Sequence, residues 1–239
     1  PTQRSHAAVP PSAPRTTPAP APATTAVGAT DMRQVLAAPA ESPLAVAEVD
    51  AAVAATANPV SDCETDVDAL PAARGATARD NRRLHRGSAL VAHKSARRLM
   101  LYQDGVLQGC WRIALGFAPE GHKEVEGDGK TPNGWYRTSD KPWSIFDDAI
   151  AIHYPATRDA ADARADGRIR RSQHKAITEA NARGSVPPQR TPMGGAILIH
   201  GGGSARDWTL GCIALEDRDL AQLRSQLPRR MKTHLMIVE

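Results

Sequence analysis

The chain has 239 residues, a formal net charge of +4, 23% charged residues and only 4% aromatics. That length holds one catalytic domain with a tail, or two small domains. The mild basic excess suits work near an anionic polymer without defining one. Nucleic-acid binding is disfavoured, because no basic run is interleaved with aromatics. No apolar run is long enough to span a membrane, and a start at Pro1 without Met is what a removed leader would leave.

Residues 1–60 are dominated by Ala, Pro, Thr and Val. The runs Pro10-Pro11-Ser12-Ala13-Pro14 and Pro18-Ala19-Pro20-Ala21-Pro22 lack the amide hydrogens that helices and sheet ladders need. The stretch therefore reads as a disordered, semi-rigid spacer. Residues 61–87 are polar, without clear periodicity, and read as a connecting segment. The cations Arg82, Arg83, Arg86, Lys94, Arg97 and Arg98 are expected on a solvated strand edge, where charge opposes edge pairing.

Regular structure is expected from Ser88. Ala89-Leu90-Val91 and Leu99-Met100-Leu101-Tyr102 are short apolar runs, and Asp104-Gly105 before Val106 marks a hairpin. Trp111, Ile113 and Leu115 alternate with Cys110, Arg112 and Ala114, the period of a strand. A Gly-rich charged loop covers 117–131. Residues 135–138 and 150–154 read as strands, the second stopped by Pro155. Residues 160–191 are polar, Ala-rich and helix-prone, an insert that reads either as a lid over a cleft or as a passive surface addition. Ala196-Ile197-Leu198-Ile199-His200 is a buried strand running into Gly201-Gly202-Gly203. Ile213-Ala214-Leu215 is another strand. Asp217 is placed to N-cap a helix with Leu220, Leu223 and Leu227 on one face. Leu235-Met236-Ile237-Val238 is the last strand. Many short strands with few helices predict a mainly β domain over 88–239 with peripheral helices.

The cysteines are Cys63, Cys110 and Cys212. An odd count outside the cytosol suggests one pair and one free thiol, which would join Cys63 to Cys110. Three reduced thiols are the other reading, and both stand on sequence alone.

The densest chemistry lies between His200 and Cys212. A thiol nucleophile needs a base and donors for an oxyanion. His200 ends a strand, the glycine run lets the chain double back, and Cys212 follows twelve positions later. Amides around Gly211 and Cys212 are placed to face an oxyanion. On residue types alone, a packed Cys and a hydrogen-bonded structural His are the commoner roles. No second Cys or His stands near Cys212 at metal-ligand spacing. The glycine run also lacks the Lys-Ser/Thr ending of a phosphate loop.

Several ordered blocks carry a resemblance. They are Leu90-Val91-Ala92-His93-Lys94, Gly127-Asp128-Gly129-Lys130-Thr131-Pro132-Asn133-Gly134-Trp135-Tyr136, and His153-Tyr154-Pro155 with Asp159 after it. Gly194-Gly195-Ala196-Ile197-Leu198-Ile199-His200-Gly201 and Asp207-Trp208-Thr209-Leu210-Gly211-Cys212-Ile213-Ala214-Leu215 complete the set. In this order they resemble the L,D-transpeptidase catalytic domain of the YkuD type, in the branch with a DWTxGCIA block. The resemblance implies a β-sandwich-like fold with peripheral helices and a helical insert. It implies that Cys212 attacks the carbonyl of the third residue of a peptidoglycan tetrapeptide stem and expels the terminal D-Ala. His200 would activate the thiol, oriented by the Gly201 carbonyl. An amine from another stem or from a wall-anchored protein, or water, would release the thioester. No organic cofactor and no metal is implied. Thr209 and Gly211 match positions at the oxyanion and substrate site, and His153 and Tyr154 stand where a donor pocket would be.

Leu210 and Ala214 depart from the better-known branch, which has His and Arg there. Arg206, Arg137 and Arg158 are the candidates to replace that Arg. The expected function is a peptidoglycan L,D-transpeptidase, exported to the periplasm or envelope or secreted. An L,D-carboxypeptidase or amidase with the same nucleophile, or a wall-targeting toxin, is the alternative.

Overall fold

The computed structural model describes residues 63–141, 144–227 and 233–239; the spacer expected over 1–60 lies outside the described residues. The described elements are α1 (Ala78–Leu84), β1 (Ser88–His93), β2 (Arg98–Gln103), β3 (Val106–Arg112), β4 (Gly134–Asp140) and β5 (Ile150–Ile152). They continue with α2 (Thr157–Ala165), α3 (Arg171–Ala182), β6 (Leu198–His200), β7 (Ile213–Ala214), α4 (Asp217–Gln226) and β8 (His234–Val238).

The strands form one curled sheet in the order β3-β2-β1-β8-β4-β5-β6-β7. β4 is the hinge of the curl: residues 134–137 pair with β8 and residues 138–140 with β5. Just past β3, Ala114 bridges to Ala214 and Gly116 to Thr209, so the two ends of the sheet meet. The fold is mainly β, as the sequence predicts, and the expected sandwich is this single sheet folded onto itself.

Side-chain alternation sorts each strand. Leu90, Leu101, Tyr136, Ile152, Ile199 and Leu235 point inward to the main core. On β1, β2 and β8, the outward-facing Ala89, Val91, Met100, Tyr102, Met236 and Val238 are also buried, beneath residues 63–84. These strands are therefore apolar on both faces. Cys63 is bonded to Cys110, with Cα atoms 6.2 Å apart; this selects the paired reading of the cysteines and staples the covering segment to β3. Within that segment the Thr77 hydroxyl accepts the Asp80 N–H (3.3 Å) while the Asp80 carboxylate accepts the Thr77 N–H (3.0 Å), a capping box that starts α1.

Two expectations change. The basic run does not edge the sheet, because β1 and β2 each have neighbours on both sides. Lys94 is 1% exposed, 3.1 Å from Glu239, and Arg97 grips Asp207 at 2.7 Å. The insert is not a passive surface addition. Ala160, Ala163, Ile169 and Ile177 of α2, α3 and their connection are buried in the main core, and burying a side chain such as Ile177 stabilises by about 2 kcal/mol.

Candidate active site

β6 and β7 run parallel, with Ile199 opposite Ile213 and His200 opposite Ala214. One step back, the register sets Leu198 against Cys212. Ile199 and Ile213 enter the core, so Leu198, His200 and Cys212 turn to the other face. There Cys212 packs with Ala149, Ala151, Leu198 and Phe146. His200 and Cys212 are thus diagonal neighbours on one face, with Cα atoms about 7–8 Å apart by sheet geometry.

The His200 ring is 2% exposed. Its Nδ1 lies 2.5 Å from the Gly201 carbonyl. A carbonyl only accepts, so Nδ1 carries the proton and Nε2 keeps its lone pair. Phe146 stacks on the ring with centroids 4.0 Å apart, and Trp208 meets it edge-on at 5.6 Å. Burial pushes the imidazole below its ordinary pKa, and the Gly201 carbonyl opposes this in part.

Cys212 is the free cysteine. Its Sγ accepts the Leu198 N–H at 3.4 Å, and its thiol faces the Ala196 carbonyl at 3.7 Å. Burial raises the thiol pKa, while the Leu198 N–H and the Lys123 charge draw it back. Burial thus disfavours charge on both groups.

The loop before Cys212 is held by one buried hydroxyl. Thr209 Oγ1 accepts the Gly211 N–H at 3.1 Å and donates to the Cys212 carbonyl at 2.8 Å. Gly211 has φ +124°, and a Cβ there would lie 2.6 Å from the Lys130 carbonyl; only glycine fits. Its N–H is spent on Thr209, so Gly211 supplies room for the turn.

Carboxylates fix the surrounding loops. Asp207 accepts the Leu115 N–H at 2.8 Å. Glu216 accepts the Ser204 N–H and hydroxyl at 2.8 and 2.9 Å, and these bonds hold its pKa down. Asp217 does not N-cap α4; Glu216 occupies that position, and the Asp217 carboxylate accepts the Gly202 N–H at 2.8 Å. A Cβ on Gly201 would overlap this carboxylate. Next to Gly201, beyond the Phe146 ring that stacks on His200, a cavity of about 410 Å³ is lined by Phe146, Asp147, Asp148, Gly201, Gly202 and Asp217, and by neither His200 nor Cys212.

The remaining sequence candidates separate. Tyr154 is fully buried and donates to the Lys123 carbonyl at 3.1 Å, so it braces the core. By register His153 lies on the same outer face as Ala151, with Nε2 2.9 Å from the Ser139 hydroxyl. Arg206 is exposed on the loop before Asp207. Arg137 and Arg158 line a separate cavity. Phe146 and Glu216 were not singled out from the sequence, and Asp207 only as the head of the Asp207–Leu215 block. Phe146 lies in a loop with no periodicity, and the two acids carry no local signal of partners so distant in the chain.

The mainly β domain thus carries a free thiol and a buried imidazole on one sheet face. The sequence matches the family described as YkuD, L,D-transpeptidase catalytic domain, over residues 87–235. The chain belongs to this L,D-transpeptidase family. No curated protein gives a significant match. Similar solved structures include an L,D-transpeptidase from Mycobacterium smegmatis (10% identity, 64% of this chain and 58% of that one, TM-score 0.36). Another is the L,D-transpeptidase of Xylanimonas cellulosilytica (10% identity, 71% and 65% covered, TM-score 0.36). A third is a Bdellovibrio bacteriovorus protein (16% identity, 64% and 48% covered, TM-score 0.40). The chain spans between about half and two thirds of the length of these proteins.

Proposed function

We propose that this protein is a peptidoglycan L,D-transpeptidase that works through a thioester on Cys212. The observation that carries the reading is the shared face of Cys212 and His200, with His200 Nδ1 committed to Gly201. As a stem carbonyl arrives, the thiol proton passes to His200 Nε2 and Sγ bonds to the carbonyl carbon. The Cys212 N–H takes the developing oxyanion. The imidazolium then protonates the D-Ala nitrogen, the C–N bond breaks, and the thioester remains. An incoming amine gives a proton to Nε2 and attacks the thioester, and the leaving thiolate recovers that proton.

Thr209, Gly211 and Gly201 position the two reacting groups, and we assign Tyr154 no substrate contact. An amine acceptor, rather than water, is favoured by the cavity next to Gly201. Its Asp147, Asp148 and Asp217 suit the ammonium of a second stem or of a wall-anchored protein. The Cys63–Cys110 bond favours an oxidising compartment, in keeping with export to the envelope.

The test is mass spectrometry of the protein incubated with a disaccharide-tetrapeptide, beside the Cys212→Ala variant. Cross-linked dimer with the wild type alone supports the proposal. Shortened stems without dimer would replace transpeptidation by hydrolysis at the same thiol. Turnover by Cys212→Ala would remove the mechanism.

A further inference from the structure

A second cavity, of about 430 Å³, lies where α1, β4, β8, α2 and α3 meet. Arg74, Arg83, Arg137 and Arg158 line it, together with His234 and one carboxylate, Asp80. Asp80 is bonded to Arg83 at 2.5 Å. Arg74 is held by Asp159 at 3.2 Å and by Asp162. Arg158 reaches Asp162 only at 3.9 Å and is 61% exposed. The Arg137 guanidinium has no partner among the described residues. With all three carboxylates credited, positive charge is still left over.

The walls share this bias toward donors. Trp135 Nε1–H, in the wall, has no acceptor among the described residues. Ala156 and Thr157 bring the start of α2 to the cavity, where the Asp159 carboxylate accepts the Ala156 N–H at 2.8 Å. The Arg158 stem lies against Gly75, where a Cβ would come within 2.5 Å of Arg158 Cδ, so the glycine gives Arg158 its place. His234 is held down to about 4 by burial and then by Arg83 and Arg137, a separate sign of a positive field.

We propose that this pocket binds a phosphoryl group, with Arg137 and Arg158 as its main ligands. The donors come from several elements around one space. One guanidinium satisfies a planar carboxylate, whereas a tetrahedral phosphoryl group accepts from several sides at once. The pocket shares no lining residue with the cavity next to Gly201. β5 and β6 separate β4 from β7, a gap of about 14 Å at ordinary strand spacing. The inference therefore does not depend on the reaction proposed for Cys212. The phosphoryl group could be free, part of a soluble ester or polymer, or a lipid headgroup.

The test titrates the full chain with inorganic phosphate against chloride at matched ionic strength, following melting temperature and the His234 ring resonances. A saturable rise in melting temperature is expected, with the His234 pKa moving upward as a bound anion offsets the arginines. Arg137→Gln and Arg158→Gln should each weaken phosphate binding about tenfold while melting like the wild type in chloride. Equal melting in phosphate and chloride overturns the proposal. So does unchanged affinity in both variants, or acetate competing as well as phosphate. Glycerol phosphate and phosphatidylglycerol vesicles separate the sources. Arg137-dependent binding of the first alone supports a soluble phosphoryl ester, Arg137-dependent vesicle binding supports a headgroup, and binding of inorganic phosphate without either supports the free ion.

Discussion

Thr209→Val removes one hydroxyl and nearly nothing else, because valine matches threonine in shape. In the folded protein that hydroxyl serves two backbone groups, accepting from Gly211 N–H at 3.1 Å and donating to the Cys212 carbonyl at 2.8 Å, and the residue is 3% exposed. Leaving a buried group unpaired costs roughly 1–3 kcal/mol, so two groups amount to about 2–6 kcal/mol if the loop stays in place. For a domain of this size each kcal/mol moves the melting temperature by about 2–4 °C, which predicts a fall of about 4–24 °C. If the loop relaxes instead, the loss of stability shrinks and Cys212 leaves its position beside Leu198, changing its rate of alkylation. Thermal melting and iodoacetamide kinetics together cover both outcomes. Thr209→Ser, which keeps the hydroxyl, is the control and should recover most of either loss. A valine variant with unchanged melting and unchanged alkylation would refute the account of Thr209 as the clamp on the loop before Cys212.

Cys212 alkylation should accelerate steadily with pH beyond the ordinary thiol range near about 8.5, because burial raises the thiol pKa and lowers that of His200; a plateau between about pH 5 and 7 would instead reveal a standing thiolate–imidazolium pair. Reducing Cys63–Cys110, which closes a loop with a sequence separation of 47, should destabilise the domain by up to about 4 kcal/mol; a melting temperature indifferent to reductant in a Cys212→Ala background would contradict the staple. Acid should destabilise the fold through His234. Its folded pKa is about 4 against an ordinary 6.5, so the unfolded chain binds the extra proton and stability is lost as pH falls from about 6.5 to 4. The loss should stay below about 3 kcal/mol because the ring is partly solvated, and His234→Asn should flatten that part of a denaturation-versus-pH curve.

Much of the frame is legible in the sequence because its signals are local. The alternation around Trp111, the Asp104-Gly105 turn and the apolar run into His200 each mark a strand, and β3, the β2–β3 hairpin and β6 lie there. The likeness of the 194–215 blocks to the family identifies the candidate thiol and imidazole, and strand register puts them on one face. What stays hidden depends on partners far along the chain. Asp207 looks like a surface acid until Arg97 and the Leu115 amide surround it. Lys94 looks like edge protection until Glu239 reaches it. Asp217 has the residue type of an N-cap, yet the Gly202 amide takes its carboxylate. α1 is masked by its polarity, although Thr77 and Asp80 stand at capping-box spacing.

The place of β8 bears on when the protein becomes able to react. Its residues His234–Val238 form the middle of the sheet, parallel to β1 and antiparallel to β4. A ribosome has made Cys212 and His200 well before that strand emerges, yet β1 and β4 have nothing to join them until it does. Pairings this distant in sequence form late and slowly. Until β8 pairs, the sheet has no middle, and the face that carries Cys212 and His200 lacks the frame that holds it.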